Sequence, residues 1–458
     1  MRVPFPLLVI AATLLSGCAA ASAPPPAGPP LRESGSREDA GTAPADDLVG
    51  RIATGVSYAD LLRGVLDRNP AVAAARARWQ AALEKHPQAL TLPDPMLSFQ
   101  YYTRVSMNPA APQRVDAMLS QEIPFPAKIA LQGDLALREA EMARLAYDMA
   151  LRDAAAEARQ ALLELAYIDR AQEAVAATAE ILARYATVAA GELAAGRTSL
   201  PEEIRARTLL AQSGYDRTLL EDLRRAEEQR IRGLLRLPPG AAVGPAAPVD
   251  FRPVAARLDD LYRLAEARSQ ELAMARVRLD MAGLEVAVAR WEFAPDLQVG
   301  GLWMRNMEDA GGEFMGGRAF TFGLTVPIWV LAKSARVREA GALENAAGAD
   351  REAVVEGIRT GAARLYFRAV NAGRLVLLYR DTLIPQAEKS LLLAETLFRE
   401  GRGSLAGTLE TALAWQNFQL AYRRALSDHG QAVAMLEMVI GASVTETPSP
   451  PSPEGGAR

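Results

Sequence analysis

The 458-residue chain is written twice. Leu61-Leu62-Arg63 matches Leu261-Tyr262-Arg263, and Ala75-Arg76 with Arg78 matches Ala275-Arg276 with Arg278, both at an offset of 200. Pro93-Asp94 matches Pro295-Asp296 at 202. Lys128 matches Lys333 and Ala158-Arg159 matches Ala363-Arg364, both at 205. Gly196-Arg197-Thr198-Ser199-Leu200 matches Gly401-Arg402-Gly403-Ser404-Leu405, also at 205. One such match could arise by chance, but an ordered series marks an internal duplication. The offset steps from 200 to 202 between Arg78 and Pro93 and from 202 to 205 between Asp94 and Lys128, around the short alternating segments and their loops, which tolerate insertion.

Each copy reads the same way. A helix is expected from about Ser57 to Ala89, capped by Ser57 with Asp60 at the third helical position, and its partner runs from about Leu258 to Trp291. Two short strand-like segments follow. A very long helix then runs from about Ala127 to Ala195, matched by about Leu331 to Glu400, where Pro385 interrupts it. A break at the Gly-Arg pair leads to a returning helix, ending near Leu237 and near Ile440. A helix of this length extends roughly 100 Å at about 1.5 Å per residue, so it needs coiled-coil-like partners for its apolar stripe. Leu151, Ala155, Ala158, Leu162 and Leu165 fit such a stripe. The helices alone are equally compatible with a plain coiled-coil spacer.

The strand-like segments decide between these classes. They lie at about 95–105, 113–125, 295–305 and 318–329. Leu97, Phe99 and Tyr101 alternate with Ser98, Gln100 and Tyr102; Val115, Ala117 and Leu119 alternate with Asp116, Met118 and Ser120. Leu297, Val299, Gly301 and Trp303 alternate with Gln298 and Gly300; Phe320, Phe322, Leu324 and Val326 alternate with Thr321, Gly323 and Thr325. Phe125 and Trp329 stand where the long helices begin. Segments of about ten residues with one apolar and one polar face suit a tilted membrane strand beside water. Ordinary half-buried hairpins show the same alternation. Four strands cannot close a membrane barrel, which needs about eight, so a membrane reading requires several chains to share one barrel.

Composition excludes other classes. Charge is nearly balanced, 51 basic against 55 acidic residues, without the basic stripe of a nucleic-acid-binding protein. His86 and His429 are the only histidines and Cys18 the only cysteine, so neither a His/Cys metal site nor an internal disulfide is expected, and no cofactor is called for. No paired acids or nucleophile–base cluster supports an enzyme. Met96, Met107 and Met118 suggest soft-metal contact, but methionines more commonly fill gaps in packing.

Residues 1–17 read as a signal peptide: Arg2, an apolar run from Pro4 to Leu15, then Leu15-Ser16-Gly17-Cys18 as a lipobox. Cleavage would leave Cys18 as a lipidated N-terminus, and Ala19 in place of Asp favours the outer membrane. Residues 18–56 are expected to be a disordered lipidated tether, 57–237 the first copy, 238–256 a linker, 257–441 the second copy and 442–458 a disordered tail.

From about Ser57 to Gly441 the chain resembles the TolC-like outer-membrane efflux proteins. The resemblance rests on the duplication, Asn69-Pro70, Pro93-Asp94, Val326-Pro327-Ile328-Trp329 before Lys333, and the two Gly-Arg-x-Ser-Leu turns. It implies a mainly α chain in a homotrimer, with four strands per chain in a shared barrel of roughly twelve, above the minimum of about eight. It further implies a passive exit duct fed by a periplasmic adaptor and an inner-membrane pump. The competing reading is a lipid-anchored periplasmic adaptor or spacer without a barrel. Leu92 to Leu97, Pro112-Gln113-Arg114 and Gln121 to Pro126 look most like the heavy-metal branch of the family.

By the same resemblance, Gly196, Arg197, Ser199, Leu200, Gly401, Arg402, Ser404 and Leu405 would meet the adaptor at the tip. Local structure explains the same residues: glycine suits a helix C-terminus, serine the next N-cap, and Pro201 with Glu202 the first turn. Glu202 and Glu410 match the two positions of an acidic tip ring that narrows and gates such ducts, whereas Arg205 and Gly407 depart from the pattern.

Overall fold

In the computed structural model, two residues 200 apart break the first helix of each copy in the same way. Asn69 and Ser269 both leave helical geometry, at φ −66°, ψ 123° and φ −62°, ψ 123°. Asn69 Oδ1 accepts the Ala71 N–H at 2.8 Å, and Ser269 Oγ accepts the Leu272 N–H at 3.4 Å, so each side chain caps the helix it opens. The helices expected to run unbroken over 57–89 and 258–291 are therefore segmented.

The structure describes residues 45–102, 114–196, 198–306 and 317–445. Cys18, Met107, Arg197, the signal peptide, the strand-connecting loops, most of the tether and most of the tail lie outside the described residues. The elements are α1 (Ala45–Thr54), α2 (Tyr58–Arg68), α3 (Pro70–Leu83), α4 (Lys85–Ala89), β1 (Met96–Tyr102), β2 (Arg114–Ile123), α5 (Pro126–Ala194), α6 (Leu200–Leu235), α7 (Leu258–Arg268), α8 (Gln270–Trp291), β3 (Leu297–Asn306), β4 (Gly317–Leu324), α9 (Val330–Leu378), α10 (Ile384–Arg399) and α11 (Leu405–Ile440). No described helix is long and apolar enough to cross a membrane.

The chain divides into two units. The smaller contains Glu84–Ala136 and Ala294–Pro327, and thus all four strands; the larger contains Leu48–Leu83, Leu137–Phe293 and the chain from Ile328. In the larger unit, each copy builds an equivalent core. Leu61, Ile231 and Leu235 are buried in the first copy, and Leu261, Leu436 and Ile440 in the second, at offsets of 200, 205 and 205. The stripe on α5 is buried at Ala158, Leu162 and Leu165, while Leu151 packs on its edge. Each such leucine or isoleucine contributes about 1.5–3 kcal/mol of burial.

A helix occupies the end of the segment expected to be a tether. Residues 45–54 form α1, and Leu48, Ile52 and Val56, spaced four apart, enter the first copy's core. The linker packs against the same segment: Val56 N–H donates to Pro245 O at 2.9 Å, and Gly244 N–H to Ile52 O at 2.8 Å. Val444, within the segment expected to be a tail, is buried in the second copy's core.

Pro385 interrupts the second long helix by a π turn, Tyr379–Leu383, in which the Ile384 N–H reaches back to Tyr379 O. The wider turn accommodates a ring that lacks an N–H and would clash in a regular helix. The helices continue on either side, so the interruption is local.

Candidate functional site

The residues expected to matter fall in two places, one in each unit. In the smaller unit the strands form one antiparallel sheet in the order β1-β2-β3-β4. Directly opposed residues share a face. Leu97↔Leu119, Phe99↔Ala117 and Tyr101↔Val115 pair between β1 and β2. Ala117↔Trp303, Leu119↔Gly301 and Ile123↔Leu297 pair between β2 and β3. Gly301↔Phe320, Val299↔Phe322 and Leu297↔Leu324 pair between β3 and β4. The four apolar half-patterns of the sequence thus fall on a single face, where Phe320 is 84% and Phe322 80% exposed. Ser98, Gln100, Asp116, Ser120, Gln298 and Thr321 lie on the opposite face, together with Met96, Met118 and Met304.

The fourth strand ends at Leu324, short of the expected 329. Beyond it the Thr325 N–H donates to Asp296 O at 2.9 Å and the Asp296 N–H to Thr325 Oγ1 at 2.7 Å. This closes the ladder before Pro327, which has no N–H to offer. At the same end, Lys128 Nζ donates to both Asp296 carboxylate oxygens at 2.8 Å and to Ala294 O at 2.9 Å. Asp296 Oδ1 also accepts the Phe125 N–H at 2.9 Å. A lysine of the first copy therefore clamps an aspartate of the second. Both residues stand in the repeat matches, but their pairing joins opposite copies and is invisible to a comparison of like with like.

In the larger unit the two Gly-Arg-x-Ser-Leu turns come together. Gly196 and Gly401 adopt the left-handed conformation, φ 67° and 73°, that ends α5 and α10. Ser404 Oγ accepts the Gly407 N–H at 3.1 Å, an N-cap as expected. Ser199 and Glu202 form a reciprocal capping box, with Glu202 Oε2 3.5 Å from the Ser199 N–H. The Thr198 hydroxyl also donates to Glu202. These bonds, the Thr198 hydroxyl first and the Ser199 N–H next, hold the Glu202 carboxyl below the usual range. Glu410 pairs with Arg205 at 2.9 Å, so the departure from the acidic pattern at 205 neutralises the acid it faces.

The two turns line a common cleft with Arg184, Tyr185, Glu202, Glu395, Phe398 and Ser404. Burial, then the neighbouring Glu395, pushes the Tyr185 hydroxyl up to about 12. Tyr185 and Glu395 were not among the expected site residues; they sit within long helices and carry no motif. The leucines of the turns differ. Leu200 is 56% exposed, whereas Leu405 is 4% exposed in a cluster with Leu182, Ala186, Ala189, Ala206 and Leu409. Arg402 is exposed beside Glu400, at 3.5 Å.

His429 is held by backbone groups. Both ring nitrogens of His429 lie 2.8 Å from backbone carbonyls, of Ala369 and Arg252. Among the described residues no three His, Cys, Asp or Glu side chains are grouped to hold a metal.

Residues 261–442 match the outer membrane efflux protein family. No curated sequence is a significant match. Among solved structures, the outer membrane protein VceC of Vibrio cholerae superposes with a TM-score of 0.71 at 16% identity, over 84% of this chain and 96% of that one. The MtrE outer membrane channel of Neisseria gonorrhoeae gives 0.68 at 17% identity, over 85% and 91%. CusC, described by its transmembrane channel formation, gives 0.73 at 13% identity, over 86% and 94%. The second copy thus matches the outer membrane efflux protein family in sequence, and the chain has the TolC-like outer-membrane efflux channel fold.

Proposed function

We propose that the chain is the outer-membrane component of a tripartite efflux system, a passive exit duct from an inner-membrane pump and periplasmic adaptor to the outside. The observation that carries this is the four-stranded sheet with one largely apolar face, interrupted by Gln121 opposite Val299, and two edge strands. A sheet of this kind is short of closure by itself and gains partners for both edges and both faces as part of a lipid-facing barrel shared between chains. Three copies, the number the family resemblance implies, would supply the strands.

The exposed Leu200, beside the capped turns, supports adaptor docking at Gly196, Arg197, Ser199, Leu200, Gly401, Arg402, Ser404 and Leu405. In this reading Leu405 shapes the surface from beneath and Leu200 touches the partner. Glu202 and Glu410 are the gate candidates, weakened as a charged ring by the Arg205 pair. Cys18 carries the lipid, a second attachment to the membrane in addition to the barrel. The cargo class is small molecules or metal ions.

The experiment is extraction of the outer membrane followed by gel electrophoresis with and without heating. A trimer that collapses on heating is expected. A monomer released without detergent once Cys18 is replaced would favour a lipid-anchored spacer.

A further inference from the structure

The duplication is obeyed by the strand register itself. An offset of 202 carries β1 onto β3, and an offset of 203 carries β2 onto β4. These offsets convert Leu97↔Leu119 into Val299↔Phe322, and Phe99↔Ala117 into Gly301↔Phe320, both of which are observed. The two hairpins are therefore copies of one another in register, not merely in pattern. The seam between the copies joins β2 to β3, with Leu119↔Gly301, Gln121↔Val299 and Ala117↔Trp303. In the sheet β1 and β4 are the edges.

Resting on the shared-barrel reading, we infer that β4 pairs with β1 of a second copy of this chain in the register that the duplication dictates. Applying the same offsets to the β2–β3 seam places Phe322 opposite Phe99, Leu324 opposite Leu97, and Phe320 opposite Tyr101 of the next copy. The polar face follows suit, with Thr321 opposite Gln100. Both faces stay in phase, which a one-residue slip would destroy.

The side chains distinguish this seam from the internal one. At β2–β3 a small residue faces a large one, Gly301 against Leu119 and Ala117 against Trp303. At the inferred seam aromatic faces aromatic, Phe322 against Phe99 and Phe320 against Tyr101. Phe99 is 71% exposed, so the edges carry large apolar surface at the matching heights. Cross-strand aromatic pairs are among the more favourable sheet contacts.

The test is inter-chain disulfide formation in the membrane-embedded protein. Leu324→Cys is combined in turn with Leu97→Cys, Pro95→Cys and Phe99→Cys; the latter two probe slips of two residues that keep the face. The parent chain measures any background from Cys18. Fastest cross-linking for the Leu324/Leu97 pair, several-fold above both neighbours, is expected. A heat-sensitive trimer in which another pair cross-links fastest, or none does, overturns the register and leaves the shared barrel standing. A monomer with no inter-chain cross-link removes both.

Discussion

Leu200 and Leu405 occupy the same place in the two copies, each the first residue of its returning helix, yet replacement by aspartate should separate them. Leu405 lies 4% exposed among Leu182, Ala189, Ala206 and Leu409. Removing a leucine from such a site costs about 2–5 kcal/mol. An ionised carboxylate placed there without a partner adds several more, on the order of the unpaired-charge penalty in apolar surroundings. The sum approaches the ~5–15 kcal/mol that holds a typical domain together. Leu200, 56% exposed, lies where substitutions typically shift stability by less than ~0.5 kcal/mol. An acid at the start of α6 even gains about 0.3–1 kcal/mol from the helix dipole. Leu405→Asp should therefore lower the temperature at which the purified trimer collapses, or prevent its assembly, whereas Leu200→Asp should melt like the parent. Resistance of cells carrying each variant to the system's cargo supplies the second readout. Leu200→Asp is expected to lose efflux with the trimer intact. Parental melting of Leu405→Asp would refute the burial argument, and parental resistance of Leu200→Asp would refute docking at the exposed turn.

Lys128→Met and Asp296→Ala should show a double-mutant coupling of about 1.5–3 kcal/mol in urea unfolding, the range for a charge-assisted contact; simple additivity would dismiss the clamp. Arg236 and Gly441 end the returning helices at equivalent left-handed positions, φ 50° and 76°. Arg236→Gly should stabilise the protein by about 1 kcal/mol, by relieving the left-handed penalty, whereas Gly441→Ala drives a Cβ to 2.7 Å from Arg268 O and should destabilise it. Equal melting of these two variants would contradict that assignment. Glu202 has a lowered folded pKa, so its capping contribution is full above the ordinary carboxylate pKa and is lost as pH falls through the folded value. Protection of tip amides from hydrogen exchange should decline on acidification in the parent and lose that dependence in Glu202→Gln, which keeps a side chain able to cap. An unchanged acid profile in the variant would remove Glu202 as its source.

What could be read in advance follows from which forces act locally. Alternation with period two is a property of the strand itself, and the half-patterns of all four strands assembled on one face. The caps at Ser57 and Ser404 were legible because a serine oxygen reaches an amide only three residues away. Burial was less so. Nothing in the turn motif distinguishes Leu405 from Leu200; the difference comes from helices remote in sequence. The Lys128–Asp296 clamp joins residues 168 apart. Leu48, Ile52 and Val56 already had a helical spacing, but the surrounding alanine, glycine and acidic residues hid it within a segment that otherwise reads as tether.

On the shared-barrel reading this sheet faces lipid on one side and water on the other. A scan of single cysteines along β4, from Phe320 to Leu324, in the outer membrane tests it most directly. Thr321→Cys and Gly323→Cys are expected to react with a water-soluble maleimide, while Phe320→Cys, Phe322→Cys and Leu324→Cys are shielded and yield instead to a lipid-soluble probe. Uniform labelling from water along all five positions would contradict it.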